Sequence, residues 1–353
     1  MNSSFGNLMT EATRLTQAGD LRAATALIQS ALGAAAPPAT AATKRTDQGD
    51  VIDVDAREVW PAELPEPNRP AEPAGPVAGE KFVPGSYTGA AGTRAYKLYV
   101  PPGYRQGQSM PLVLMLHGCS QDPDDFARGT GMNEAARAQG FLVLYPAQTK
   151  HANSSGCWNW FKHNHQRRGS GEPALLAGMT RQVMQQYGID ARRVYVAGLS
   201  AGGAMAAILG SCYPDLFAAV GVHSGLPAGA ASDLPSALAA MRSGAGDIPA
   251  SALDSPPVIV FHGDRDATVH PRNGEQIAAA GMADSQRERG SRGRAYTRDV
   301  YSDAQGRPRA EHWLVHGAGH AWSGGRTGGS YTDPQGPDAS AEMMRFFFAN
   351  PHA

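Results

Sequence analysis

A short apolar run, Val194-Tyr195-Val196-Ala197, leads into Gly198-Leu199-Ser200-Ala201-Gly202, and a stretch of small residues from Gly203 to Leu209 follows at once. Few local patterns leave a chain so little freedom. A strand that passes straight into a helix must turn sharply, and its two backbones then run close together around a strained residue. Glycines on either side of Ser200 meet both demands, because they have no Cβ to obstruct the approach. The pentapeptide predicts strand, turn and helix, with the Ser200 hydroxyl at the tip. In a chain of 42 glycines the pattern alone can arise by chance, so the remaining sequence must supply its context.

That context is a series of continuous apolar runs: Leu112 to Leu116, Phe141 to Tyr145, Val194 to Ala197, Ala218 to Val222, Val258 to Phe261 and Trp313 to Val315. Helix-like stretches follow them. Runs apolar on both faces, alternating with helices, predict a buried and mostly parallel sheet. Ala174 to Tyr187 reads as a crossover helix before the elbow strand, and Ala341 to Phe348 as a closing helix. Phe82 to Val100 reads as two strands around a turn at Gly89–Gly92, with Tyr96, Leu98 and Val100 alternating. The expectation is one α/β domain over residues 81–353, a central sheet flanked by helices.

Residues 1–80 differ in character. Phe5, Leu8, Met9, Ala12 and Leu15 recur at helical spacing, Gly19-Asp20 interrupts, and Leu21, Ala24, Leu27, Ile28, Ala31 and Leu32 resume. This predicts a helical hairpin over 1–33. A single unit of that kind cannot bury its own apolar face, so it is expected to dock on the main domain, on another subunit or on an external partner. Residues 34–80 form an Ala/Pro-rich linker whose composition cannot build a packed core. The segment 1–80 carries eleven acidic and six basic side chains, a balance of −5 within a total of −1.

A net charge of −1 gives no reason to expect nucleic acid as a partner. No stretch approaches the ~18 apolar residues of a membrane span. The start, Met1-Asn2-Ser3-Ser4-Phe5, shows no basic segment ahead of an apolar one, so no secretory signal is read and a cytoplasmic location is expected. Three cysteines, Cys119, Cys157 and Cys212, fit either reduced thiols or one disulfide plus a free thiol.

A serine hydroxyl is a weak nucleophile near neutrality. It needs a histidine base, and the base needs an acid that fixes its tautomer. On a strand–elbow–helix frame the chain order is Ser, then Asp or Glu, then His. The run Val258 to Phe261 leads into His262-Gly263-Asp264-Arg265-Asp266. Asp266 is the preferred acid, since a turn must follow the strand before a carboxylate can face the histidine; Asp264 is the rival. Trp313 to Val315 leads into His316-Gly317-Ala318-Gly319-His320, where His320 is the preferred base and His316 the rival. Two backbone N–H groups are needed for the developing oxyanion. Ala201 at the helix N-terminus supplies one. Cys119, in His117-Gly118-Cys119-Ser120 after an early strand, is the candidate for the other. The stretch Gly156-Cys157-Trp158-Asn159-Trp160-Phe161, with Trp322 close after His320, offers aromatics for stacking on substrate, and burial as packing residues is an equal reading. A Cys119–Cys157 disulfide would tie this stretch to the oxyanion loop. No metal or cofactor is called for by these residues.

With these motifs in place the chain resembles the polyhydroxybutyrate depolymerase family of serine esterases, which includes feruloyl and acetylxylan esterases. The resemblance rests on Leu116 to Gln121, Cys157 to Trp160, Gly198 to Gly203, His223-Ser224-Gly225-Leu226-Pro227, His262-Gly263 through Asp266, and Gly319-His320-Ala321-Trp322. It covers residues 80–348 and implies an α/β-hydrolase fold without metal. It also implies a triad of Ser200, Asp266 and His320, and an oxyanion hole at Cys119 and Ala201. The implied substrates are short-chain polyhydroxyalkanoate polyester or its oligomers, with feruloyl or acetyl esters of plant polysaccharides as the near alternative. Many members are extracellular, and this chain departs from them in showing no signal. Ala228 to Pro257, with a helix at Ser236–Met241, is expected to cover the site. The rival from another class is a partner-binding scaffold in which the hydrolase domain is vestigial.

Overall fold

The computed structural model describes residues 79–246, 255–280 and 284–352. The expected hairpin and nearly all of the expected linker lie outside the described residues.

The described chain opens with an antiparallel hairpin, β1 (Lys81–Gly89) and β2 (Gly92–Val100), which closes with Gly89 opposite Gly92. The strands β3 (Met110–Leu116), β4 (Leu142–Pro146), β5 (Ile189–Leu199), β6 (Ala219–His223), β7 (Val258–Gly263) and β10 (Pro308–Val315) contain the six apolar runs. All seven residues of β3 are buried, as expected of a strand covered on both faces. Two further strands, β8 (Asp284–Arg292) and β9 (Arg294–Ser302), complete one sheet of order β1-β2-β4-β3-β5-β6-β7-β10-β9-β8. Pairing is parallel from β4 through β10 and antiparallel at both flanks.

The β8–β9 hairpin escapes an apolar-run reading because charge pairs hold it. Arg287 lies opposite Asp299 in the register and bonds it at 2.6 and 2.9 Å, while Arg298 lies opposite Glu288 and bonds it at 3.0 Å. Such cross-strand pairs stabilise a ribbon without any apolar alternation.

Helices cover both faces. One layer is α3 (Gly171–Tyr187) and α4 (Ala201–Cys212), packed on Leu112, Leu114, Val194, Val196, Val220 and Val222. The opposite layer has α1 (Pro123–Thr130), α2 (Met132–Gln139) and the closing α7 (Ala339–Ala349), packed on Val113, Met115, Tyr195, Ala197, Ile259 and Phe261. The alternation of these two sets along each strand is the period-2 geometry of a pleated sheet. Two other helices, α5 (Leu234–Ser243) and α6 (Arg272–Ala279), flank β7. The helix α5 contains the expected Ser236–Met241 and is tied to α6 and the residues just before it through His270 N–H to Met241 O and Asn273 Nδ2 to Ala240 O. No described helix is long and apolar enough to cross a membrane. The chain leaves β3 for β4 on one side and returns to β5 on the other, so the strand order reverses between β3 and β5. In open α/β sheets the crevice at that reversal, beyond the carboxyl ends of the strands, is where ligands bind.

His223 and His312 are two of the histidines buried in the domain. Burial is the main cause that pushes His223 on β6 down to about 3 and His312 on β10 down to about 4. An unfolded chain takes up these protons below about pH 6.5, and the folded chain refuses them until its depressed values are reached. Their stabilisation is complete above about pH 6.5 and falls as the pH drops toward 4. The loss amounts to at most about 1.4 kcal/mol per pH unit for each histidine. The urea midpoint is therefore expected to fall steadily between about pH 7 and about pH 4.5, and His312→Leu should flatten the decline. A midpoint constant over that interval would mean that the two imidazoles do not stay neutral in the folded protein.

Candidate active site

Ser200 sits between β5 and α4 with φ 58° and ψ −120°. The turn is held by Ser200 N–H donating to His223 O at 2.9 Å and by Ala204 N–H donating to Ser200 O at 2.9 Å. The flanking glycines are a steric requirement. A Cβ on Gly198 would overlap the backbone of Gly202, and one on Gly202 would overlap the carbonyls of Leu116 and His117. Four non-glycine residues among those described have positive φ: Ser120, Ser200, Ser224 and Tyr331. All four belong to the loops around this elbow, and strained backbone of this sort concentrates at functional sites.

Asp266 follows β7 and His320 follows β10, so both leave the same end of the parallel strands as Ser200. His320 Nδ1 donates to Asp266 Oδ2 at 2.7 Å. The other carboxylate oxygen, Oδ1, accepts from Thr268 N–H and Val269 N–H, each at 2.9 Å. A second imidazole, His262, sends Nε2 to Val269 O at 2.8 Å and lies 3.4 Å from Asp266 Oδ2. Burial works to raise the Asp266 carboxyl, but the bonds from His262, His320 and the Val269 amide outweigh it and hold the group far below the usual carboxylate range. Asp266 is thus a fixed anion against one edge of the His320 ring. His320 Nε2 has no protein partner among the described residues.

The rival residues also pair with each other. His316 Nδ1 lies 2.9 Å from Asp264 Oδ2, and Gly317 N–H donates to Asp264 Oδ1 at 2.7 Å. Here, however, Thr297 Oγ1 on β9 occupies His316 Nε2 at 2.9 Å. Both ring nitrogens of His316 are engaged, which leaves none to take a proton from a nucleophile.

The loop after β3 lies against the elbow, with the Cβ of Ser200 3.6 Å from where a Gly118 side chain would begin. Neither the Cys119 nor the Ala201 N–H has a protein acceptor among the described residues. Cys119 is joined to Cys157 by a disulfide with Cα atoms 4.2 Å apart, and Ser120 N–H donates to Ser155 O at 2.9 Å. Gly118 N–H donates to Gln121 Oε1 at 2.9 Å. His117 accepts Gln148 N–H on Nε2 at 3.1 Å and donates Nδ1–H to Gly118 O at 2.8 Å. Burial lowers its pKa despite the latter bond, so the ring stays neutral. Gln148 Nε2 bonds Glu172 Oε1 at 2.5 Å, and Asn159 gives Glu172 its backbone N–H at 2.7 Å and its Nδ2 at 2.8 Å. Gln121 was read only as the end of the Leu116 to Gln121 motif, and Gln148, Glu172 and Tyr331 escaped sequence reasoning, since no short motif marks a residue that acts through a partner far along the chain.

The aromatic candidates require a correction. Trp158 and Trp322 are 0% and 1% exposed and Trp160 is 5% exposed, so none offers a face for substrate stacking. Trp158 Nε1 donates to His117 O at 3.1 Å, and Trp322 Nε1 donates to Ser340 Oγ at 3.1 Å while its ring stacks on His223 at 5.1 Å. Trp160 meets Phe161 edge to face. Their indoles support the loops from beneath. A cavity of about 640 Å³ lined by Tyr87, Arg168, Arg181 and Tyr213 shares no residue with the elbow cluster, and Asp215 already pairs with both guanidiniums. Among the described residues, no group of three or more His, Cys, Asp or Glu could hold a metal ion.

Comparison with known proteins agrees with this geometry. A solved acetyl xylan esterase from Aspergillus awamori shares the fold, with a TM-score of 0.58 at 18% identity over 75% of this chain and 99% of that one. The architecture is that of an α/β-hydrolase. Poly(3-hydroxyalkanoate) depolymerase C of Paucimonas lemoignei is 32% identical over 63% of this chain and 57% of its own length. Poly(3-hydroxybutyrate) depolymerase of Ralstonia pickettii is 34% identical over 63% of this chain and 50% of its own. The chain thus spans about half the length of these curated relatives. The family model described as Esterase PHB depolymerase matches residues 94–298, a span that takes in Cys119, Ser200 and Asp266. On that match and the elbow geometry together, the chain belongs to the PHB depolymerase esterase family.

Proposed function

We propose that the protein is a serine carboxylesterase with Ser200 as nucleophile, His320 as general base and Asp266 as the acid that orients it. The observation that carries this reading is the 2.7 Å bond from His320 Nδ1 to a firmly ionised Asp266. With Nδ1–H held by that bond, Nε2 is the ring nitrogen that carries the lone pair. His320 takes the Ser200 proton as Oγ attacks the ester carbonyl. The tetrahedral oxyanion is held by the N–H groups of Cys119 and Ala201. Collapse expels the alcohol, which receives the proton from His320. Water then attacks the acyl-enzyme with His320 again as base, releasing the acid and restoring Ser200.

The preferred substrate is a short-chain polyhydroxyalkanoate polyester or its oligomers, which the names of the two depolymerase relatives support. A feruloyl or acetyl ester of polysaccharide is the alternative, and the buried tryptophans give no argument for it. Residues 1–80 remain candidates for docking on the catalytic domain, on another subunit or on a partner, and a scaffold role for the chain would rest on them.

Release of 3-hydroxybutyrate from its oligomers, measured beside release of ferulate from a matched ester, tests the substrate. Ser200→Ala should lower kcat by about 10⁶-fold and abolish labelling by a serine-directed phosphonate. Asp266→Asn should cost about 10⁴-fold through the wrong His320 tautomer, whereas Asp264→Asn should leave kcat within a few fold. Near-native turnover by Ser200→Ala would overturn the reading, and the reverse order of the two aspartate variants would move the acid to Asp264.

The disulfide adds a separate expectation. Reducing Cys119–Cys157 frees the loop that carries one oxyanion donor, so kcat should fall, by no more than the about 10²–10³-fold that one such donor contributes. KM should change less, and Cys212→Ser should behave as wild type before and after reduction. Full kcat in the reduced protein, with free thiols counted, would show that the bridge does not hold the Cys119 amide.

A further inference from the structure

With the three candidate tryptophans buried, an exposed aromatic ring still stands beside His320. Tyr331 is 48% exposed, against 0%, 1% and 5% for Trp158, Trp322 and Trp160. Its φ is 51°, a conformation that a bulky residue rarely adopts. A glycine would fit that backbone at no steric cost, so the ring is retained in spite of the conformation.

The residues around it keep it there. Ser330 N–H and Oγ donate to the two oxygens of Asp125 at 2.9 and 2.5 Å, and Gln121 Nε2 donates to Ser330 O at 3.1 Å. The Tyr331 carbonyl accepts Trp322 N–H at 2.7 Å. On the following side, Thr332 pairs with Trp322 in a two-residue parallel ladder. The side chain reaches toward both halves of the candidate machinery. Ser120 spends its single hydroxyl proton on Cys119 O at 2.5 Å, so the 3.4 Å contact to Tyr331 is a weak bond donated by the phenol. The ring stands edge-on to His320 with centroids 6.5 Å apart.

We infer that Tyr331 is a specificity-determining residue that contacts the alcohol portion of the ester, an inference that rests on the esterase reading. With the carbonyl oxygen on the Cys119 and Ala201 amides, the leaving oxygen must face His320 to receive its proton. The group attached to that oxygen then passes the ring that borders both Ser120 and His320. In a polyester this group is the next hydroxyacyl unit, and in an aryl ester it is the aromatic alcohol. The ring offers an apolar face to either.

The test measures kcat and KM for the full-length protein and its Tyr331→Phe, Tyr331→Ala and Tyr331→Gly variants. One substrate series holds the acyl group as acetate and varies the alcohol from methyl to p-nitrophenyl to naphthyl. The other holds p-nitrophenol and lengthens the acyl chain. Ala and Gly should both raise KM by about tenfold for the aryl acetates relative to methyl acetate. Phe should stay near wild type, and the acyl-length preference should not move. The glycine variant relieves the backbone, so a loss shared by Ala and Gly belongs to the missing ring. Equal effects on methyl and aryl acetates, an altered acyl-length preference, or no effect would each overturn the assignment. Phosphonate labelling of Ser200 separates the two levels. Labelled variants with unchanged alcohol selectivity defeat this inference alone, whereas a wild-type protein that neither turns over nor labels defeats the esterase reading and this inference with it.

Discussion

The whole site hangs on a set of backbone contacts too close to admit a side chain. Gly198 lies against Gly202 and Leu116 O, Gly202 lies against Leu116 O and His117 O, and Gly203 lies against the carbonyls of Gly198 and His223. Through these three residues β3, β5, β6 and the start of α4 meet without intervening side chains. The distance between the Cys119 loop and the Ala201 amide is therefore set by backbone packing, which has little room to relax. A residue held as Ser200 is costs on the order of 1–3 kcal/mol in backbone strain. Burial of Ala204, Met205, Ile208 and Leu209 on the helix it begins is large enough to offset that at about 25 cal/mol per Å².

Around this frame the polar groups follow one scheme, in which a neutral imidazole is fixed by backbone and an anion is fixed by donors. His117 takes its tautomer from Gly118 O and the Gln148 amide. His223 accepts Ser323 N–H at 2.9 Å and so turns its own N–H to Ser224, joining the elbow strand's neighbour to the loop that carries His320. Burial works to raise Glu172, yet the His165 ring 3.4 Å away and the bonds from Gln148 and Asn159 prevail and lower it. Asp266 repeats the pattern. Buried carboxylates of this kind are tolerable only when their lone pairs are filled, and here the filling donors come from the loops that the site requires in place. The same bonds that satisfy the charge thereby order the loops around the elbow.

This explains what could be read from the sequence. The strands β3 to β7 and β10 are apolar on both faces, and such runs carry their own signal. The order Ser200, Asp266, His320 was available from chain order alone. The preference for His320 over His316 was a choice of position, and the contact of His316 with Thr297 on β9 had no signal in the sequence. That strand is held by Arg287–Asp299 and Arg298–Glu288 pairs, and an alternation of charges does not announce a strand. The tryptophans failed for a complementary reason. An aromatic cluster reports a large apolar area, but its direction depends on partners such as His117 O and Ser340 Oγ, the latter 18 residues beyond Trp322. Tyr331 had no motif at all, because its exposure and its place beside Ser120 and His320 depend on contacts between segments distant in the chain.

The four strained residues are arranged so that each is held by a bond made by its own backbone or by an immediate neighbour. Ser120 N–H goes to Ser155 O beside the disulfide, Ser200 N–H to His223 O and Ser224 N–H to Phe261 O, while Trp322 N–H goes to Tyr331 O. The first three bonds leave for other segments, whereas the last closes the stretch after β10 on itself. Returning Ser200 or Ser224 to an ordinary φ would disturb a backbone hydrogen bond to a buried strand residue, His223 O or Phe261 O. The elbow, the loop after β3 and Tyr331 thus lie together at the carboxyl ends of the strands, the first two joined through backbone contacts and the last through Ser120 and Ser330.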